Sequence, residues 1–87
     1  MKRNERTAFN QLKRIGAPVF EGRWDHTEDG FRISGEHNDG VIWADYYEEF
    51  CSPEYEFGVN PMITEILTAN GLYAEWCNPG VLNVYDM

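Results

Sequence analysis

The sequence predicts a single α+β domain spanning residues 1–87, in which two helices cover an antiparallel sheet of about five strands in the order α-β-β-β-α-β-β. Three observations lead to this prediction. Apolar residues recur at helical spacing in residues 4–15 and 60–70. Elsewhere the pattern changes to short apolar or alternating segments, which is typical of strands. Turn sequences containing Asp-Gly or Pro-Gly separate these segments, so a three-stranded meander and a C-terminal hairpin are expected.

The first helix is predicted from residues 4–15, where Phe9 and Leu12 lie on one face. Asn4 is the expected N-cap, because its side chain can accept a hydrogen bond from a free backbone N–H of the first turn. Gly16 fits the position after the helix, where a left-handed backbone is common.

The second helix is predicted from residues 60–70 and has the clearer boundaries. Asn60 is a good N-cap and Pro61 fits the first helical position, where its missing N–H has no cost. Gly71 fits the C′ position. Four residues form the stripe of this helix that is expected to be buried: Met62, Ile63, Ile66 and Leu67.

The strands are predicted between and after the helices. The meander consists of Val19–Trp24, Phe31–Glu36 and Val41–Ala44, with turns at Glu28-Asp29-Gly30 and Asn38-Asp39-Gly40. The hairpin consists of Leu72–Cys77 and Val81–Tyr85, with a turn at Asn78-Pro79-Gly80. The core is expected to contain thirteen apolar residues: Phe9, Leu12, Ile15, Val19, Phe31, Ile33, Ile42, Ile63, Ile66, Leu67, Leu72, Trp76 and Val84.

The charge of −8 is unevenly distributed. Residues 1–14 have a net charge of +4, whereas residues 15–87 have a net charge of −12. A strongly acidic body repels phosphate, so direct binding of nucleic acid is not expected. The chain has no apolar run long enough to span a membrane and no secretory signal, which makes the cytoplasm the expected compartment. Cys51 and Cys77 are therefore expected to be reduced.

The most informative segment runs from Trp43 to Phe57, where five acids lie among six aromatics and no lysine or arginine is present. Aromatic residues provide contact area and carboxylates determine the sign of a partner's charge. One interpretation is a docking surface for a basic partner. The other is a half-buried element with a solvated acidic face. Helical spacing of the aromatics predicts that the strand ends near Ala44 and that one or two helical turns follow, ended by Ser52-Pro53.

The sequence predicts no metal site, cofactor or catalytic residue. Asp25–Glu36 fits part of a calcium loop, but Arg32 stands at an apolar position of that motif and strands rather than helices flank it. The histidines and cysteines form no local pair with zinc-ligand spacing. No nucleophile motif or phosphate-binding glycine loop is present. The second predicted helix contains Glu65 and no base, which argues against a DNA-recognition helix.

Residues 41–87 contain three short motifs: Ala44-Asp45-Tyr46-Tyr47, Glu75-Trp76-Cys77-Asn78-Pro79-Gly80 and Val84-Tyr85. In these motifs the chain resembles short uncharacterised proteins from bacteriophage genomes. The resemblance implies no activity, cofactor or site residue. It implies a small phage product that acts inside a host cell.

Together these features predict a non-catalytic binding protein that docks on a basic surface of a host protein, as an inhibitor or a nucleic-acid mimic. The expected contact residues are Asp45, Tyr46, Tyr47, Glu48, Glu49, Glu54, Tyr55 and Glu56. The alternative is a structural component that self-associates when the basic N-terminal helix of one copy meets the acidic body of another.

Overall fold

The computed structural model describes residues 1–25, 27–38 and 40–87. It contains two helices and a four-stranded antiparallel sheet in the order α-β-β-α-β-β, so the α+β class is confirmed. The elements are α1 (Arg3–Arg14), β1 (Val19–Arg23), β2 (Thr27–Ser34), α2 (Pro61–Ala69), β3 (Leu72–Asn78) and β4 (Val81–Asp86). No helix among the described residues has both the length and the apolar character needed to cross a lipid bilayer.

The sheet is built from two hairpins that meet in its centre, with the strand order β1-β2-β4-β3. β2 pairs with β4 through the register Ile33↔Leu82, and β3 pairs with β4 through Ala74↔Val84. β1 and β3 are therefore the two edge strands. The predicted turn at residues 78–80 is confirmed, because β3 ends at Asn78 and β4 begins at Val81.

The core lies between the helices and one face of the sheet. Phe31, Ile33 and Val84 of the central strands are completely buried, as is Leu12 of α1. The ring of Phe9 meets that of Phe31 edge to face, with centroids 5.5 Å apart. Burial of each large apolar side chain stabilises the fold by roughly 1.5–3 kcal/mol before entropy is subtracted.

The start of α1 differs from the prediction. The N-cap is Lys2, whose backbone N–H donates to the carboxylate of Glu5 over 2.7 Å. Asn4 instead lies inside the helix, where its side-chain amide donates to the carbonyl of Asn70 and the carboxylate of Asp86. The predicted cap residue thus joins α1 to the end of α2, a tertiary role that has no local sequence signal.

The boundaries of α2 are confirmed, but Met62 of its predicted buried stripe is 48% exposed. The side chain of Asn60 accepts a hydrogen bond from the backbone N–H of Met62 over 2.9 Å, and Pro61 occupies the first position. Gly71 follows the helix with a φ of +72°, which glycine adopts at little cost.

The predicted turn at Glu28-Asp29-Gly30 is wrong, because these residues lie inside β2. A turn instead follows β1, where Asp25 has a φ of +78°. Gly30 has a φ of +75°, and a Cβ there would lie 2.9 Å from the guanidinium of Arg23. The glycine thus permits a close approach rather than a turn. The other predicted turn includes Asp39, which lies outside the described residues.

The third predicted strand, Val41–Ala44, is also wrong, which reduces the sheet from five strands to four. Only Ala44 makes a β-bridge, and its partner is Val59. The helical turns expected after Ala44 are absent from residues 45–51, which form turns and bends instead. The backbone of this region bonds to asparagine side chains and to residues distant in sequence, so it needs neither a strand nor a helix.

Nine of the thirteen predicted core residues are buried. Ile15, Ile66 and Trp76 are partly buried against the core, and Ile42 is half-buried. The prediction missed six buried residues: Ala8, Ala17, Trp43, Ala44, Val59 and Leu82. Three of these belong to the connection between β2 and α2, which therefore contributes to the core although it has no regular structure.

Candidate functional site

The connection between β2 and α2 is held by two asparagine side chains. The Oδ1 atom of Asn38 accepts from the backbone N–H of Trp43 over 2.8 Å. The side-chain amide of Asn60 donates to the carbonyl of Ile42 over 3.1 Å, while its Oδ1 atom caps α2. The side chain of Trp43 is buried. The connection therefore has a defined course without helices or strands.

The second half of the connection forms a closed loop, residues 45–57, which we call the acidic loop. Its two ends meet where the backbone N–H of Asp45 donates to the carbonyl of Gly58 over 2.7 Å. Inside the loop, the carboxylate of Asp45 accepts from the backbone N–H of Phe50 over 2.8 Å. Asp45 thus orders the loop and is only half-exposed.

All eight predicted contact residues lie in the acidic loop, but they are not equally accessible. Six are exposed: Tyr46, Tyr47, Glu48, Glu49, Glu54 and Glu56. Asp45 and Tyr55 are half-buried, and the hydroxyl of Tyr55 accepts from the side-chain amide of Asn60. The carboxylate of Glu54 accepts from the hydroxyl of Ser52 over 2.9 Å.

Two exposed aromatic residues of the acidic loop were not among the predicted contacts. Phe50 is 79% exposed and Phe57 is 80% exposed. The helical interpretation placed Phe50 on the same face as Trp43, which implied a buried ring. Single exposed apolar side chains are common on free surfaces, so these two rings are informative only together with the other exposed aromatics of the same loop. The spacing of the aromatic residues in the sequence thus gave a wrong prediction for Phe50, whereas their high number in this segment correctly indicated an aromatic-rich surface.

The negative charge of the acidic loop has no compensating cation in the described part of the chain. The ion pairs there lie elsewhere and include Lys2–Asp86, Arg6–Glu21 and Arg23–Glu5. Residues 33–87 contain ten acids and no lysine or arginine. The loop and everything C-terminal to it therefore present one sign of charge.

Two grooves border the acidic loop. The first, which we call the loop groove, has a volume of about 480 Å³ and is lined by Glu36, Asp45, Tyr47 and Phe50 among others. The second, which we call the edge groove, has a volume of about 580 Å³ and runs between α2 and β3. The ring of Tyr46 lines the loop groove and packs edge to face on Trp76, which lines the edge groove, with centroids 5.3 Å apart. The two grooves therefore approach each other at this aromatic pair.

The nucleophilic side chains do not combine into a reactive arrangement within the described residues. The hydroxyl of Ser34 lies 2.6 Å from Nδ1 of His37, but the hydroxyl also accepts from the backbone N–H of Glu36, and neither Ser34 nor His37 lines the loop groove or the edge groove. Burial, assisted by neighbouring carboxylates, raises the pKa of both thiols, Cys51 and Cys77, which are not joined to each other. A raised pKa decreases the thiolate fraction at neutral pH.

The described residues contain no group of three His, Cys, Asp or Glu side chains placed to hold a metal ion. Part of the calcium-loop candidate is strand β2, which pairs with its neighbours on both sides. His26 of that candidate lies outside the described residues.

No protein-family model, curated protein or solved structure matches the chain. The resemblance to bacteriophage proteins stays a prediction. The geometry and charge of the acidic loop and its two grooves are therefore the basis for inferring function.

Proposed function

We propose that this protein is a non-catalytic binding protein whose acidic loop docks on a basic site of another protein, which is a host protein if the chain is phage-encoded. The observation that supports this proposal most directly is the combination of uncompensated carboxylates and exposed aromatic rings on one ordered loop. Glu48, Glu49, Glu54 and Glu56 supply the charge, and Tyr47, Phe50 and Phe57 supply the contact area.

The two kinds of side chain have different tasks in such a complex. Charges on an exposed loop chiefly accelerate association and select the partner, because water and salt screen them. Desolvated aromatic rings provide most of the affinity at protein interfaces. The ring of Tyr47 packs edge to face on that of Tyr46, with centroids 5.1 Å apart, yet Tyr47 is 69% exposed, so most of its surface is available to a partner.

The order of the loop also favours binding. A loop that is already held in one conformation loses less entropy when it binds than a disordered one does. The Asp45–Gly58 and Asp45–Phe50 hydrogen bonds provide this order without using the exposed glutamates.

The same chemistry suits an inhibitor that occupies the nucleic-acid site of a host protein. Duplex DNA presents one charge per about 1.7 Å of axis, so a mimic needs several carboxylates on one surface. The glutamates of the acidic loop and Glu36 of the loop groove are available for this role.

The test compares two double variants with the same change in charge. Glu48→Lys with Glu49→Lys alters the acidic loop, whereas Glu21→Lys with Glu65→Lys alters exposed carboxylates outside it. Proteins are captured from host lysate at low salt and released at high salt. We expect the loop variant to lose the salt-released partner and the matched variant to retain it. Both should unfold within about 1 kcal/mol of the wild type, since all four positions are on the surface and the Arg6–Glu21 ion pair that the matched variant loses is an exposed one.

Retention of the partner by the loop variant would exclude the acidic loop as the interface. Tyr47→Ala adds a test of the aromatic contribution, because this exposed ring contributes little to the core. We expect it to weaken partner binding while leaving the unfolding midpoint nearly unchanged. Tyr46→Ala should also lower the midpoint, because Tyr46 packs on Trp76.

Self-association is the second candidate function. Lys2 and Arg6 of the N-terminal segment pair within the chain, but Arg3, Lys13 and Arg14 form no ion pair with the described residues. These three cations could meet the acidic loop of another copy. Sedimentation equilibrium in low salt tests this candidate: a mass that rises with concentration and falls with salt would support it, and a constant monomer mass would reject it.

A further inference from the structure

The strand β3 is an edge of the sheet whose backbone faces a groove. Met87 donates its backbone N–H to the carbonyl of Gly71 over 2.9 Å. Because hydrogen-bonded and non-hydrogen-bonded pairs alternate in an antiparallel ladder, the backbone groups of Tyr73 and Glu75 then point toward β4. Those of Ala74 and Trp76 point to the free edge, where no described residue accepts or donates to them. A free edge of this kind can accept another strand.

The edge groove lies along this free edge. Residues 73–76 line it from the strand side, and Thr64 and Thr68 line it from α2. Leu67 and Leu72 are buried at its apolar base, and Phe57 of the acidic loop stands at one end. The indole N–H of Trp76 donates to the carbonyl of Phe57 over 2.8 Å, which fixes that end in place. A helix and an edge strand that flank one groove provide both backbone partners and side-chain pockets for an extended peptide.

The charges around the edge groove define its occupant. Glu56 and Glu75 line it, and no lysine or arginine of the described chain does. An incoming acidic segment would be repelled, whereas a lysine or arginine of an added strand next to Glu75 would lie beside its carboxylate, on the face of β3 away from Leu72 and Trp76.

We propose that the edge groove binds an extended basic segment of the partner protein by strand addition to β3. The inference rests on the proposed function in one respect, namely that the partner of the acidic loop is basic. It adds a second contact next to the Tyr46–Trp76 pair. The seven residues of β3, Leu72–Asn78, set the length of the added strand at about four to six residues.

A second copy of the chain is a poorer occupant than a basic segment. Pairing of two β3 strands across a twofold axis would bring Glu75 of each copy to the same interface, between molecules that each have a net charge of −8. Like charges at an interface oppose association. A basic segment would not meet this electrostatic repulsion.

The test uses a synthetic hexapeptide of alternating lysine and valine with blocked ends, titrated into the ¹⁵N-labelled full chain. We expect saturable shifts of the backbone amides of Ala74 and Trp76 and slower hydrogen exchange at these amides. A peptide N-methylated at the positions whose N–H groups face β3 should bind at least tenfold more weakly, because each methyl group removes a strand-addition hydrogen bond. A peptide N-methylated at the alternate positions should bind like the parent.

Two protein variants distinguish the groove from general electrostatic attraction. Glu75→Lys should weaken peptide binding about tenfold, since it replaces attraction by repulsion at close range. Glu65→Lys makes the same change of charge on α2 outside the groove, and we expect binding within about twofold of the wild type. Equal losses in both variants would overturn the proposed site.

Other results separate this inference from the proposed function. Shifts confined to residues 45–57, or equal binding of both N-methylated peptides, would overturn strand addition while leaving docking of the acidic loop in place. Absence of peptide binding at millimolar concentration, or β3–β3 contacts between two copies, would also overturn it. The proposed function fails on a different result, namely retention of the lysate partner by the Glu48→Lys, Glu49→Lys variant.

Discussion

Replacement of Gly58 by alanine should loosen the acidic loop and destabilise the whole domain. Gly58 has a φ of +77°, and a Cβ added there would lie 2.8 Å from the carbonyl carbon of Asp45 and closer still to its oxygen. Real Cβ atoms essentially never approach other heavy atoms within 3.0 Å, so the Asp45 backbone must move. That movement breaks the hydrogen bond from Asp45 to Gly58, which closes the loop.

The magnitude follows from two contributions. A left-handed backbone costs alanine roughly 1–2 kcal/mol, partly offset by about 0.4–1 kcal/mol from the stiffer unfolded chain. The lost hydrogen bond and displaced backbone add about 1–2 kcal/mol. The expected total of about 2–3 kcal/mol corresponds to a fall in Tm of roughly 10–20 °C for a domain of this size.

The matched control is Gly71→Ala. Gly71 has a φ of +72° and no heavy atom within 4 Å of an added Cβ, so only the backbone contribution of about 1 kcal/mol remains. Thermal unfolding followed by circular dichroism measures both variants. Equal falls in Tm would refute the close approach at Gly58, and an unchanged Tm in both would refute the backbone assignment. If the acidic loop is the interface, Gly58→Ala should also weaken partner binding more than Gly71→Ala does.

Two further predictions concern titratable groups. Hydrogen bonds from Asn4 and Lys2 lower the pKa of Asp86 below its ordinary 3.8, so the stability they provide is present above that pH and is lost as the pH falls through the folded-state value. The difference in Tm between wild type and Asp86→Asn should therefore be larger at pH 6 than at pH 2, and an equal difference at both would contradict this linkage. Burial, with nearby Asp45 and Glu48, raises the pKa of Cys51, so its alkylation by iodoacetamide at pH 8 should be slower than that of an unstructured peptide thiol and faster in Glu48→Gln, as judged by mass spectrometry. Alkylation at the peptide rate in the wild type would contradict the raised pKa.

Local chemistry was sufficient to predict the helices and the C-terminal hairpin. Asn60, Pro61 and Gly71 define α2 because each satisfies a requirement of a helix end within a few residues of the chain. The turn at residues 78–80 is equally local, since the side chain of Asn78 accepts from the backbone N–H of Gly80. These interactions are encoded by neighbours in sequence, and the sequence therefore determines them by itself.

The predictions failed where a residue's partner lies far away in the chain. Asp29-Gly30 has the composition of a turn, yet Gly30 lies in β2, where the side chain of Glu5 from α1 approaches it closely, as does that of Arg23. Trp43, Tyr46, Tyr47 and Phe50 have helical spacing, yet Trp43 is buried and the other three are exposed. In both cases contacts between distant residues outweighed a weak local preference.

For the candidate site, the sequence by itself determined the composition and charge of the acidic loop, because both are properties of a list of residues. Only the tertiary structure decided which of those residues are exposed. Asp45 and Tyr55 bond inward to Phe50 and Asn60, whereas Phe50 and Phe57 face solvent. It also decided that β3 is an edge strand beside a groove, since the strand order depends on which hairpins pair, and that pairing is a long-range choice with no local signature.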